Sequence, residues 1–382
     1  MSENFVVPNL AELRQRKSEK WRGFPSDVLP LPVAEMDFPI AEPIKDALRD
    51  MIDRSDTGYL GAIPELKESF SIFAKKLWGW ELDPQNVRIA SDVGVAAVEI
   101  LRVLIKPGDK VLIDTPVYHN FFNWLNEVKA ERIELPMHKQ ELHYTFDLAG
   151  IESAYKSGVK VHLLCHPQNP TGTVHAKADL QKIADLAVAY GVTVISDEIH
   201  APLTYVTEDF YPFLAISDNA RRVGITITSA SKSFNIAGLK CAIIVSQDER
   251  LNELLATMPM AVHFRASLFG GVASAAAFAH GSSWLTTALG QLDENRRLLD
   301  SLIRSRIPAI KYRIPDCSYL AWLDLSALNL GDNPAATLLE RGRVALNSGH
   351  TYGAPYSQFA RMNFATSPEL ITDGIERILK AI

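Results

Sequence analysis

Along this chain, short unbroken apolar runs alternate with stretches in which apolar residues return every three or four positions. Lys110-Val-Leu-Ile-Asp-Thr115, Val161-His-Leu-Leu-Cys165, Val192-Thr-Val-Ile-Ser196 and Gly224-Ile-Thr-Ile-Thr228 are of the first kind. Runs of that length without polar alternation predict strands buried on both faces, as in a mostly parallel sheet. Asp179–Tyr190 is of the second kind. Leu180, Ile183, Leu186 and Ala187 share one helix face, and Gly191 stops the helix just before the next strand. The alternation predicts an α/β fold with helices on both faces of the sheet. Cys241–Ser246 reads as a further strand. Toward the C-terminus the pattern changes: Tyr319–Leu325 and Phe359–Phe364 read as strands, and a closing helix is expected from Pro368.

Three of these runs lead into residues of complementary chemistry. An open α/β sheet binds ligands at the carboxyl ends of its strands. The run ending at Thr228 delivers Ser229-Ala-Ser-Lys232 to that edge. A lysine there, among small residues, suits a Schiff base to an aldehyde cofactor, although a lone lysine after a strand is more often solvated. The run from Val192 ends in Asp197. Its carboxylate can pair with a pyridine nitrogen and keep the ring protonated; a helix cap would look the same. The third run leads into His166-Pro-Gln-Asn-Pro-Thr-Gly172, a turn that fixes Asn169. Its amide can donate to a phenolate oxygen, yet Asn-Pro and Thr-Gly are also ordinary turn dipeptides. The three together are far more specific than any one.

In order and spacing, Asn169-Pro-Thr-Gly172, Asp197-Glu-Ile-His200 and Ser229-Ala-Ser-Lys232 resemble the fold-type I pyridoxal-phosphate enzymes of the class I/II aminotransferase superfamily. The resemblance runs from Val33-Ala-Glu-Met-Asp-Phe-Pro39 to Arg361-Met-Asn-Phe-Ala365. Ala34–Phe38, Asp197–His200 and Ser231-Lys-Ser-Phe-Asn-Ile-Ala-Gly-Leu239 resemble most the cystathionine β-lyase and cysteine-conjugate C–S lyase branch.

The resemblance implies a large pyridoxal-phosphate-binding domain over residues 46–280, with a mostly parallel sheet flanked by helices. A smaller α+β domain would combine residues 1–45, as an N-terminal arm, with 281–382. Lys232 would carry the cofactor, and Asp197 would face its ring nitrogen. Asn169 and His200 would meet the phenolate oxygen, and Tyr118 would stack on the ring. The amides of Val93 and Gly94, with Ser229 and Lys240, would hold the phosphate. Tyr59 would reach the phosphate of a neighbouring subunit, making the active unit a homodimer. Lys232, Tyr118 and Tyr59 form the expected catalytic group, and Arg361 would clamp the substrate α-carboxylate. Five positions depart from the pattern. Asp92 stands where relatives often have glycine and is expected to turn away as a cap. Lys240 stands where many have arginine, and His200 where aminotransferases commonly have tyrosine. His166 and Gln168 interrupt the usual Asn-Pro-His-Asn order.

These residues serve either β-elimination or amino transfer. The branch resemblance implies elimination from a small sulfur amino acid, giving a thiol, pyruvate and ammonia, with an aminotransferase as the alternative. Which group the sulfur carries is left open. Ser229-Ala-Ser-Lys232 also fits an S-x-x-K acyl-enzyme motif, with Ser217-Asp-Asn219 and Lys156-Ser-Gly158 as partners in reversed order. A reading of another class is a regulator that modulates a transcription factor by protein contact.

Composition narrows the field further. The 382 residues are 47% hydrophobic with net charge −6 and no long basic run, which argues against direct nucleic-acid binding. Cys165, Cys241 and Cys317 are far apart and odd in number, suggesting reduced thiols rather than a disulfide frame or a zinc site. No metal is expected. With no signal-peptide pattern and no apolar stretch long enough for a bilayer, a cytoplasmic location without membrane contact is expected.

Overall fold

The computed structural model of the chain describes residues 5–382. Its main sheet has seven strands, in spatial order Val87–Ala90, Ala242–Val245, Gly224–Thr228, Thr193–Asp197, Val161–Cys165, Lys110–Thr115 and Glu131–Pro136. All neighbours are parallel except that Ala242–Val245 runs antiparallel to both of its own. Its apolar run looks like the parallel ones because burial, not direction, sets the pattern. The preceding connection holds only the one-turn helix Ala230–Ser233 and the 3₁₀ turn Ala237–Leu239, and it doubles back at Lys240, which adopts φ 57°.

Side chains alternate between the two faces, and each face has its own core. Ile113, Leu163, Ile195, Ile225 and Ile244 pack with Ala96, Ile100 and Leu101 of the helix Val93–Leu104. Leu112, Leu164, Val194 and Ile243 belong to the opposite core, with Leu180, Ile183 and Ala187 of the helix Lys177–Tyr190. This two-sided burial is what the unbroken apolar runs predict.

The C-terminal part forms a four-stranded antiparallel sheet, in order Lys311–Tyr312, Leu320–Asp324, Phe359–Asn363 and Asn347–Ser348. The closing helix is Pro368–Ala381, capped by Ser367 Oγ accepting the Leu370 N–H. Leu29–Pro30 pairs in parallel with Val344–Ala345, fastening the N-terminal segment to this part of the molecule. Residue 45 falls inside the continuous helix Glu42–Asp53, which packs on the helix Leu268–His280. Gly281 separates the latter from the long helix Ser282–Arg306. No helix among the described residues is long and apolar enough to cross a membrane, and all three cysteines are free and buried.

Candidate active site

A cavity of about 740 Å³ opens where the central parallel strands end. Lys232, Asp197, Asn169, His200, Tyr118, Arg361, Ser229, Lys240, Val93 and Gly94 all line it. Asn169 follows the end of a parallel strand, where an open α/β sheet places its ligand groups, and Arg361, 192 positions further on in the small antiparallel sheet, reaches it there.

Lys232 sits on the one-turn helix Ala230–Ser233. The N-cap hydroxyl of Ser229 accepts the Ser231 N–H (3.0 Å) and donates to the Cys241 carbonyl (2.6 Å). Lys232 Nζ instead donates to the Ala34 carbonyl at 3.0 Å. Serine and lysine therefore have separate partners, and the acyl-enzyme reading lacks its serine–lysine contact. Burial first, and then the nearby Arg361, lower the Lys232 pKa from 10.5 to about 8, against the opposing pull of Glu35 and Asp197. Asp197 ends its strand fully enclosed, with Oδ1 accepting the Ile199 N–H at 3.1 Å. Burial raises its pKa to about 7 against the pull of that N–H and of Lys232. Amine and carboxylate are both brought toward neutrality by the same dry surroundings.

Arg361, on the strand Phe359–Asn363, is 2% exposed. Its Nη1 donates to Asn169 Oδ1 (3.0 Å) and its Nη2 to the Pro32 carbonyl (2.8 Å), while Nε is buried without a partner among the described residues. Because Asn169 accepts through its oxygen, its NH2 group is directed elsewhere. His200 Nδ1 pairs with Ser318 Oγ (3.0 Å). Burial, with Lys232 and Arg361, pushes this imidazole down to about 3, so it is neutral. Tyr118 accepts from Asn120 Nδ2 at 2.7 Å and packs edge-on to Trp124.

The far end of the cavity is wetter. Val93 and Gly94 open the helix Val93–Leu104, and Asp92 is its N-cap, with Oδ1 accepting the Val95 N–H (2.8 Å). The expected cap is present, but Asp92 does not turn away. It lines the cavity, and its Oδ2 meets Lys240 Nζ at 3.1 Å. A Cβ at Gly94 would come within 2.9 Å of Trp124 Nε1, so glycine keeps this corner open. Arg265, a cation that no strand-end motif announces, also lines the cavity.

Tyr59 is not in the cavity. It lies on the surface, 93% exposed. Its loop is held by His263 Nε2 against the Gly61 carbonyl (3.2 Å), next to exposed Met260 and Phe264.

Sequence reasoning also missed what the Ala34–Phe38 motif is for. Residues 32–38 form a strap across the cavity wall. Arg361 holds the Pro32 carbonyl, and Asn363 Nδ2 holds those of Val33 (2.7 Å) and Glu35 (2.6 Å). Lys232 Nζ and Tyr319 Oη both reach Ala34 O, each at 3.0 Å. Asn235 grips Met36 through both N–H and C=O, and also reaches the Phe38 carbonyl. Beneath, the Asp37 carboxylate is buried against Lys20 Nζ (2.7 Å) and Trp21 Nε1 (2.9 Å). Thus Ala34–Phe38 and Ser231–Leu239, separate motifs in the sequence, are two halves of one wall.

Comparison with known proteins adds to this geometry. The family model described as aminotransferase class I and II matches residues 26–378. A Mycobacterium tuberculosis protein provisionally named cystathionine beta-lyase is 37% identical over 412 residues, covering 99% of each chain. The cystathionine beta-lyase of Corynebacterium glutamicum is 32% identical, covering 98% of this chain and 99% of its own. Among solved structures, a PLP-bound protein of Clostridium difficile 630, provisionally named an aminotransferase, superposes with a TM-score of 0.94. It is 31% identical, with 99% of this chain and 100% of the other covered.

Proposed function

The chain belongs to the aminotransferase class I and II family, and from that premise we propose that it is a pyridoxal-phosphate-dependent carbon–sulfur lyase. Its reaction is α,β-elimination from an S-substituted cysteine such as L-cystathionine, releasing a thiol, pyruvate and ammonia. The observation that carries the chemistry is a partly buried amine and a buried carboxylate in one cavity, drawn to about 8 and about 7. Elimination rather than amino transfer is supported by full-length likeness to proteins named cystathionine beta-lyase.

The donor set fits the cofactor. Lys232 would hold the aldehyde carbon and Asp197 the ring nitrogen. The Asn169 amide and neutral His200 would face the phenolate oxygen, and Tyr118 the ring. The Val93 and Gly94 amides would take the phosphate with Lys240, in a corner that a side chain at residue 94 would close. Ser229 would join them by exchanging its bond to the Cys241 carbonyl. Bound there, pyridoxal phosphate supplies an electron sink conjugated to the substrate Cα.

Each protein group then has a defined task. Arg361 binds the α-carboxylate and orients the Cα–H bond; its buried Nε still has a hydrogen to donate. Lys232 Nζ takes the Cα proton, and a pKa near 8 leaves more of it neutral than a solvated lysine would be. Asp197 holds the proton on the ring nitrogen. The strap keeps the Ala34 carbonyl 3.0 Å from Nζ, giving the freed amine a fixed acceptor and direction.

The deciding experiment supplies S-substituted cysteines without a keto acid, then ordinary amino acids with 2-oxoglutarate. Pyruvate and thiol in the first arm are expected. Efficient turnover only in the second would make the protein an aminotransferase.

The same reading makes the active unit a homodimer that shares its sites through Tyr59 and works in the cytoplasm. Exposed Tyr59, Met260 and Phe264 beside cavity-lining Arg265 support a second copy on that face. Free buried thiols are in keeping with a reducing compartment. The larger unit is built on the seven-stranded sheet, and the smaller joins the N-terminal segment to residues from 281 onward. The continuous helix Glu42–Asp53 supports a first boundary just ahead of residue 42 rather than inside the helix at 45.

A further inference from the structure

We propose that Asp92 limits how tightly this chain retains its cofactor, because its carboxylate competes with the cofactor phosphate for Lys240. The proposal rests on the reading that the cavity binds pyridoxal phosphate. It adds a retention control to that reading.

Three features of the anchoring end lead to it. First, Asp92 is engaged twice: Oδ1 caps the Val95 N–H at 2.8 Å, and Oδ2 pairs with Lys240 Nζ at 3.1 Å. Second, both side chains line the cavity beside Val93 and Gly94, whose N–H groups belong to the first helical turn and have no intrahelical acceptor. An anion entering there gains from those amides and from the helix dipole. It also meets a carboxylate already using the same positive end. Third, Lys240 is returned to this place by the left-handed turn at φ 57°, so the cation the phosphate would use begins in an ion pair. An arriving phosphate must share or displace that partner, and it faces a like charge either way. The pair is 58% and 40% exposed on its two sides, so solvent moderates the effect without removing it.

The test titrates apo-protein with pyridoxal phosphate and, separately, with pyridoxal, which lacks the phosphate. Binding is read from the absorbance of the Lys232 adduct and from quenching of Trp124, the tryptophan beside Gly94. Asp92→Asn removes the charge and keeps an oxygen to cap Val95. Asp92→Ser is a second capping residue, should the amide fold poorly. Both variants should bind pyridoxal phosphate about three- to tenfold more tightly than wild type, with pyridoxal unchanged. Lys240→Met should weaken binding more in the Asp92→Asn background than in wild type, since only there is Lys240 free of its competitor. Equal affinity for pyridoxal phosphate in wild type and both variants overturns the proposal, as does equal tightening toward pyridoxal. Failure of the underlying reading looks different: wild type itself would form no adduct with either aldehyde.

Discussion

The two ends of the cavity are built on opposite principles. Around Lys232 and Asp197 the surroundings are dry, with the carboxylate buried and the lysine partly so, and burial is the first cause of both pKa shifts. Around Lys240 and Asp92, the charges are half exposed and paired with each other. The dry end tunes proton affinities, chiefly by keeping charge out of water. The wet end can hold and release an anion without that desolvation. One cavity therefore separates reactivity from retention, and the separation can be tested residue by residue.

The largest effect should come from Lys232→Ala at the dry end. Lyase turnover should fall by more than about a thousandfold, because general base and covalent anchor are lost together. Borohydride reduction followed by peptide mass spectrometry should find the cofactor on Lys232 in wild type; an adduct on another lysine would sink the assignment. Next, Asp197→Asn should slow turnover by roughly a hundredfold to a thousandfold while the protein still binds pyridoxal phosphate through the wet end. If retention and turnover fell equally, the two ends would not be separable. Arg361→Lys is smaller again. It keeps the charge but loses the fork, and it breaks the bond to Asn169, so kcat/KM should drop about tenfold with much of the loss in KM. The mildest test is pH. A pKa lowered to about 8 means that the neutral amine of the apo-protein becomes abundant well below the pH at which a solvated lysine would react. The rate of condensation with pyridoxal should therefore climb as pH rises toward 8 and level off above it. A climb continuing to 10.5 would show that burial does not tune this amine.

The dry end was the legible one. Lys232, Asp197 and Asn169 each come after an apolar run, and strand ends announce themselves locally. The strap was not legible, since its donors lie far along the chain from its carbonyls: Asn235 is 199 positions from Met36, and Arg361 is 329 from Pro32. Periodicity carries no information about such partners. The buried Lys20–Asp37 pair was hidden for a related reason, because charged residues in a polar segment look solvated. Direction was also invisible for Ala242–Val245, where the apolar pattern is the same whether a strand runs up or down. At the wet end, the cap at Asp92 was readable from its position before a helix. Its hold on Lys240, 148 residues away, was not.

The strap also bears on how the molecule is made. Its carbonyls at Pro32, Val33 and Glu35 wait for donors from Arg361 and Asn363, near the end of the chain. Closing loops of that span is slow, because the entropy of joining distant segments is lost before any contact compensates it. During synthesis, the wall beside Lys232 is left open until the last strand of the small sheet has emerged. Full fastening of the lysine's acceptor is thus a late event: a chain cut short before residue 361 would keep the grip of Asn235 on Met36 and Phe38 but lose the donors to Pro32, Val33 and Glu35.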